Sequence, residues 1–301
     1  LQAAIAYAVQ QGLQVNVYLE DWSSGMRDSV DYTLSLIEML SKQPVKRIML
    51  PDTLGILSPL EARTYLGQVI SRFPGIHFDF HGHNDYDLAV ANALEAIQLG
   101  ISGIHSTVNG LGERAGNVPL ESLLAVVKDF TDIETGIQEQ KIFRVSKLVE
   151  QFSGQYIPSN KPVVGENVFT QTAGIHADGD QKKSLYFNKL LPERFGRERK
   201  YDLGKSSGKA NISKNLEALG ISLEPDELAR VTQRIIDLGD KKERVTPEDL
   251  PYIISDILDS DAIEHKVKIS NYVLTHSKSL KPSVTLHVSI EGEEFEEHSQ
   301  G

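Results

Sequence analysis

Two histidines two residues apart, His81 and His83, carry the sharpest chemical signal in this sequence. They follow an apolar run from Ile76 to Phe80 that reads as a strand. Strand side chains alternate between faces, so residues two apart point the same way. Neutral imidazoles on a shared face are good ligands for a divalent first-row metal. The plainer reading is a hydrogen-bonded pair beside a turn. Other strand ends gather acids and hydroxyls. Glu20, with Tyr18 on its face, can act as a base or support a metal's ligands. Thr53 can hold a substrate carboxylate, or Asp52-Thr53 can simply shape a turn. Asn84 and Asp85 read as caps of the next helix. Read alone, His176 and Tyr186 are structural side chains.

The loop from Gly110 to Asn117 is rich in glycine and leads into a helix. It is not a dinucleotide fingerprint, because Ala115 takes the place of the last glycine, and no lysine follows to make a phosphate loop. Asp178-Gly179-Asp180 is too short for a calcium loop.

The elements that must position these residues alternate strand and helix. Strands are expected at Gln14 to Leu19, Val45 to Leu50, Ile76 to Phe80 and Gly103 to Val108. Helices are expected at Ser29 to Leu40, from Pro59, at Asp87 to Leu99 and at Pro119 to Val127. Such βα units imply a parallel sheet with polar residues at the C-terminal strand ends, as in a (β/α)₈ barrel. Four units are half of a barrel. The expected fold class is therefore α/β, the C-terminal half of a barrel over residues 1–130, with a doubly wound open sheet as the alternative. Residues 131–262 read as helical linker subdomains. Residues 263–301 read as the start of a further domain, with strands at Val267 to Val273 and Val284 to Ile290. Half a barrel is expected to leave open edges and to leave Ile48, Leu50, Phe78 and Phe80 partly uncovered. On its own it is expected to lack activity.

Composition narrows the function. The 301 residues are 40% hydrophobic with a net charge of −11, which argues against nucleic acid as the partner. Cysteine is absent, so thiolate nucleophiles and thiolate-bound zinc are excluded. No apolar run reaches the ~20 residues that cross a bilayer, and a cytoplasmic setting is expected.

Six motifs then occur in one order: Tyr18-Leu19-Glu20-Asp21, Pro51-Asp52-Thr53-Leu54-Gly55, His81-Gly82-His83-Asn84-Asp85, Gly112-Glu113-Arg114-Ala115-Gly116-Asn117, Val164-Gly165-Glu166-Asn167 and Gly174-Ile175-His176-Ala177-Asp178-Gly179. Together they resemble the isopropylmalate, homocitrate and citramalate synthases over nearly the whole chain. The resemblance implies a barrel, helical linkers and a regulatory domain. It implies condensation of acetyl-CoA with a 2-oxoacid, then thioester hydrolysis. The implied metal is Mn²⁺, Mg²⁺ or Zn²⁺, bound by His81, His83, Asn117 and an Asp from an Arg-Asp pair that is missing here. Arg27-Asp28 starts a helix and is a different element. Glu20 and His176, assisted by Tyr186, are implied to deprotonate the acetyl methyl group. A homodimer is implied, in which linker residues such as His176 and Tyr186 complete the partner's site.

Within the family, Asn16 to Ser23, His81 to Asp87 and Val168 to Gly179 are most similar to the citramalate-forming members. Tyr18 stands where the wider family has a small residue, and fills space that an isopropyl group needs. Pyruvate is therefore the expected oxoacid, with 2-oxoisovalerate and leucine biosynthesis as the alternative to isoleucine biosynthesis. A related lyase is disfavoured because its glycine-rich loop carries a Cys. An aldolase leaves the Gly165 to Gly179 motifs unexplained. A non-catalytic paralogue leaves the intact site residues unexplained.

Overall fold

In the computed structural model, residues 1–171, 188–205, 207–241, 245–258, 267–277, 280–290 and 292–300 are described. They fall into two units, one from 1–170 with 187–200, the other from 171–186 with 201–301.

The first unit opens with helix α1 (Gln2–Gln10) and is built on a parallel sheet of β1 (Val15–Tyr18), β2 (Val45–Asp52), β3 (Phe78–Gly82) and β4 (Gly103–His105), in that order. Helices α2 (Trp22–Asp28) and α3 (Val30–Ser41) join β1 to β2. Helix α4 (Pro59–Arg72) joins β2 to β3, and α5 (Ala89–Gln98) joins β3 to β4. The expected α/β class and parallel sheet are therefore present. α4 starts where the sequence puts a proline. Ser58 and Glu61 form a reciprocal capping box that satisfies backbone N–H groups free at a helix start.

The two faces of the sheet differ because strand side chains alternate. Ile48, Leu50, Phe78 and Phe80 are buried in one cluster with Ile37 and Leu40 of α3, Leu66 and Val69 of α4, and Ala93 and Ala96 of α5. This corrects the expectation that these four strand residues stay partly uncovered: the connecting helices cover that face completely. The opposite face carries polar groups. Asp79 lies two residues before His81 on β3, and His81 pairs with His105 in the register.

Two boundaries differ from the sequence reading. A helix, α2, follows directly on the Glu20 turn, so Arg27 and Asp28 end a helix instead of starting one. Strand β4 ends at His105, and Asn109 beyond it adopts a left-handed conformation with φ of 62°. After β4, α6 (Leu120–Phe130) and α7 (Ile142–Ser153) pack around Leu124, Ile142, Val164 and Phe195.

The second unit contains α8 (Lys209–Ala218), α9 (Pro225–Asp240) and α10 (Leu250–Leu258), joined through Ile212, Leu216, Val231, Ile235, Leu250 and Ile254. Its antiparallel sheet is β5 (Val267–Ser277), β6 (Leu280–Ile290) and β7 (Glu293–Gln300). Two elements here lack a counterpart in the sequence reading. Helix α8 hides its periodicity because Asn211 and Asn215 are buried beside Ile212 and Leu216. Strand β7 is strongly charged and is paired along its length with β6.

Candidate functional site

The C-terminal ends of β1 to β4 bring most of the expected residues together. β1 ends in Tyr18. The chain then turns through Asp21, held at a left-handed φ of 56°. In that turn the Thr53 hydroxyl donates to Glu20 Oε1 at 3.0 Å and accepts from the Asp21 backbone N–H at 2.9 Å. Thr53 thus orients the Glu20 carboxylate. Asp52 does something different. It is buried, and its two carboxylate oxygens accept from the backbone N–H groups of Ile56 and Leu57 at 3.0 and 3.1 Å. Asp52 shapes the loop, the plainer of the two readings its sequence allowed.

On β3 the period of two holds. His81 Nε2 and His83 Nε2 face each other at 3.4 Å. Two imidazole nitrogens bound at about 2.1 Å to one tetrahedral ion also lie roughly 3.4 Å apart. Burial pushes the His81 imidazolium below its usual value, and His83 and His105 add to this, while the Glu20 carboxylate opposes it. The neutral, ligating form of His81 is therefore favoured near neutral pH. Both Nδ1 atoms are buried without a hydrogen-bond partner.

The glycine-rich loop brings Asn117 alongside His83. An isolated antiparallel bridge pairs the two residues, and the Val118 N–H donates to the Gly82 carbonyl at 3.1 Å. Gly116 has φ of +85°, and a Cβ there would collide with the Gly110 carbonyl. Only glycine lets the loop close this tightly. The Asn117 amide N–H₂ donates to the Leu111 carbonyl at 3.0 Å, while its Oδ1 is buried with no partner. A buried, unsatisfied oxygen costs free energy unless a ligand meets it. Two imidazole nitrogens and an amide oxygen form a donor set that suits a divalent cation. Among the described residues no group of three His, Cys, Asp or Glu side chains could hold a metal. His176 and Tyr186 lie outside the described residues.

Three site groups take roles that the sequence did not show. Arg114 grips Asp85 with two hydrogen bonds of 2.8 and 3.0 Å, and donates to the Thr53 carbonyl at 2.7 Å. Asp85 is thereby held below the usual carboxylate range, by Arg114 above all. Asp85 is no helix cap. It straps the glycine-rich loop to the loops after β2 and β3. Asn84 does fill the expected role, its Oδ1 accepting from the Ala89 N–H at 3.1 Å. The third group is His105, whose Nδ1 lies 3.1 Å from the Tyr18 hydroxyl. Only strand register could have brought it to notice, since it sits opposite His81. Burial raises the Tyr18 phenol above its usual value, and Asp79 and Glu20 add to this, so it stays protonated. Among the described residues no helix is long and apolar enough to cross a membrane.

Comparison with known proteins adds to this geometry. Residues 1–149 match the HMGL-like family, and residues 163–243 match the homocitrate synthase post-HMGL domain-like family. The chain is 31% identical to the (R)-citramalate synthase of Methanocaldococcus jannaschii, over 97% of this chain and 58% of that protein. It is 32% identical to the 2-isopropylmalate synthase of the same organism, over 96% of this chain and 56% of that protein. It is 34% identical to the homocitrate synthase of Sulfurisphaera tokodaii, over 96% of this chain and 65% of that protein. The chain thus spans less than two thirds of the length of these relatives.

Proposed function

Because this chain belongs to the HMGL-like family and continues into a homocitrate synthase post-HMGL domain, we propose that the full-length protein condenses acetyl-CoA with a small 2-oxoacid. Pyruvate is the best-supported oxoacid, giving (R)-citramalate and CoA after water cleaves the thioester. The observation that carries the reading is the 3.4 Å approach of His81 Nε2 to His83 Nε2, with Asn117, whose Oδ1 is buried and unpartnered, bridged to His83.

In this reading His81, His83 and Asn117 would hold a Mn²⁺, Mg²⁺ or Zn²⁺ ion, which would supply Lewis-acid stabilisation of negative charge on the oxoacid. Glu20, oriented by Thr53, accepts the proton lost from the acetyl methyl group. By the family resemblance, His176 and Tyr186 from the linker of a partner subunit would assist it in a homodimer. The methyl carbon then bonds to the oxoacid carbonyl carbon. Tyr18 lines the oxoacid pocket. The four strands are read as the C-terminal half of a (β/α)₈ barrel within residues 1–130, followed by linker subdomains to residue 262 and part of a regulatory domain.

A 2-isopropylmalate product is the second reading, because the M. jannaschii relatives of the two names are equally similar to this chain. Thiol release from acetyl-CoA by the full-length protein separates the two. Preference for pyruvate is expected, and Tyr18→Ser should raise relative activity on 2-oxobutyrate and 2-oxoisovalerate by roughly 10-fold or more. A parent preference for 2-oxoisovalerate would replace citramalate with isopropylmalate.

A further inference from the structure

The polar face of the sheet carries a connected set of side chains that the metal and base assignments leave unused. Asp79 is 1% exposed. Its Oδ1 meets His77 Nε2 at 2.8 Å, and its Oδ2 meets Arg47 Nη1 and His105 Nε2, each at 3.4 Å. The other ring nitrogen of His105 meets the Tyr18 hydroxyl at 3.1 Å. Both nitrogens of His105 are therefore engaged, one by a buried carboxylate and one by a phenol. Gly103 makes this possible. It lies next to Asp79 in the register, and a Cβ there would collide with Asp79 Oδ1. The set abuts the candidate metal site. The His105 ring lies 5.6 Å from that of His81, and the Tyr18 ring lies 6.4 Å from it.

We infer that Asp79 and His105 are positioning residues for Tyr18, and that through Tyr18 they set which 2-oxoacid the site admits. The inference rests on the reading above, in which Tyr18 lines the oxoacid pocket. Tyr18 is 51% exposed, so packing alone does not fix its ring. A half-exposed wall excludes a larger substrate only while something holds it in place. The Asp79 carboxylate accepts a hydrogen bond from the His105 Nε2–H, which leaves Nδ1 as an acceptor for the Tyr18 O–H. The phenol proton is thus directed at His105, and the pocket meets the phenol oxygen as an acceptor. One such hydrogen bond biases the ring orientation roughly 5-fold or more.

The test uses the full-length protein labelled at the tyrosine ring Cζ with ¹³C. The Tyr18 resonance is assigned by its loss in Tyr18→Phe. It should move in His105→Ala and in Asp79→Asn, and Asp79→Asn should have no further effect on it once His105 is alanine. In parallel, His105→Ala should raise kcat/KM for 2-oxobutyrate relative to pyruvate by roughly 10-fold. Tyr18→Phe, which keeps the ring and loses the tether, should do the same, and the double variant should add little. His105→Asn, which keeps a polar group near the Nδ1 position, should recover part of the preference. An unmoved Tyr18 resonance overturns the tether whatever the substrate proves to be. A moved resonance with an unchanged oxoacid preference overturns the role in selectivity. If no 2-oxoacid is condensed at all, the functional reading falls, and the resonance still decides the tether.

Discussion

Arg27 should hold the fold together and take no part in the chemistry. Its Nε and Nη2 donate to the two carboxylate oxygens of Glu61 at 2.8 Å each, and Nη2 also donates to the Ile56 carbonyl at 2.8 Å. The pair ties α2 to the start of α4. Arg27 is the main reason that the Glu61 carboxyl is lowered from 4.5 to about 2, with the Ser58 backbone and hydroxyl contributing. The whole displacement is equivalent to about 3 kcal/mol. That is a ceiling, since Ser58 supplies part of it and the Arg27 and Glu61 side chains are 35% and 31% exposed. Arg27→Met should therefore cost about 1–2 kcal/mol at pH 7. The folded-state value is depressed, so this stability is present above the unfolded carboxyl value near 4.5. It is lost as pH falls through about 2. Urea unfolding of parent and variant full-length protein at steps from pH 7 to pH 2.5 should show a gap that is constant down to about pH 5 and then narrows. Condensing activity should be unchanged wherever both are folded. A gap that does not vary with pH, or a large loss of turnover in a folded variant, would refute the reasoning.

Three further outcomes are expected in the full-length protein. Replacing His81 and His83 together with alanine should abolish turnover and remove bound metal as read by elemental analysis; activity that survives in the presence of chelator would sink the metal assignment. Glu20→Gln should lower kcat by on the order of 100-fold while leaving the KM for the oxoacid nearly constant, since a base is lost and no binding contact is removed; an unchanged kcat takes Glu20 out of the mechanism. Gly116→Ala places a Cβ against the Gly110 carbonyl at positive φ. It should cost about 1–3 kcal/mol and weaken metal binding by displacing Asn117; metal content equal to the parent would show that the loop does not set Asn117.

Local patterns settled much of this protein without any coordinates. Alternating strands and helices gave the parallel sheet, because periods of 2 and 3.6 are written in the order of apolar residues. The spacing of His81 and His83 gave their shared direction, because a strand turns every second side chain the same way. What sequence could not supply were partnerships across distance. Asp85 looks like a helix cap from its neighbours, and Arg114, 29 residues away, claims it instead. His105 is one more polar residue in a strand until the register sets it opposite His81 and next to Tyr18. Helix α8 and strand β7 escaped notice because buried asparagines and exposed glutamates break the apolar rhythm, while neighbouring elements satisfy their backbone and side-chain hydrogen bonds. Glu20 and Thr53 were each legible as polar strand ends, but only the fold made them one unit. A hydrogen bond requires two atoms about 3 Å apart, and only tertiary structure brings together groups 33 residues apart.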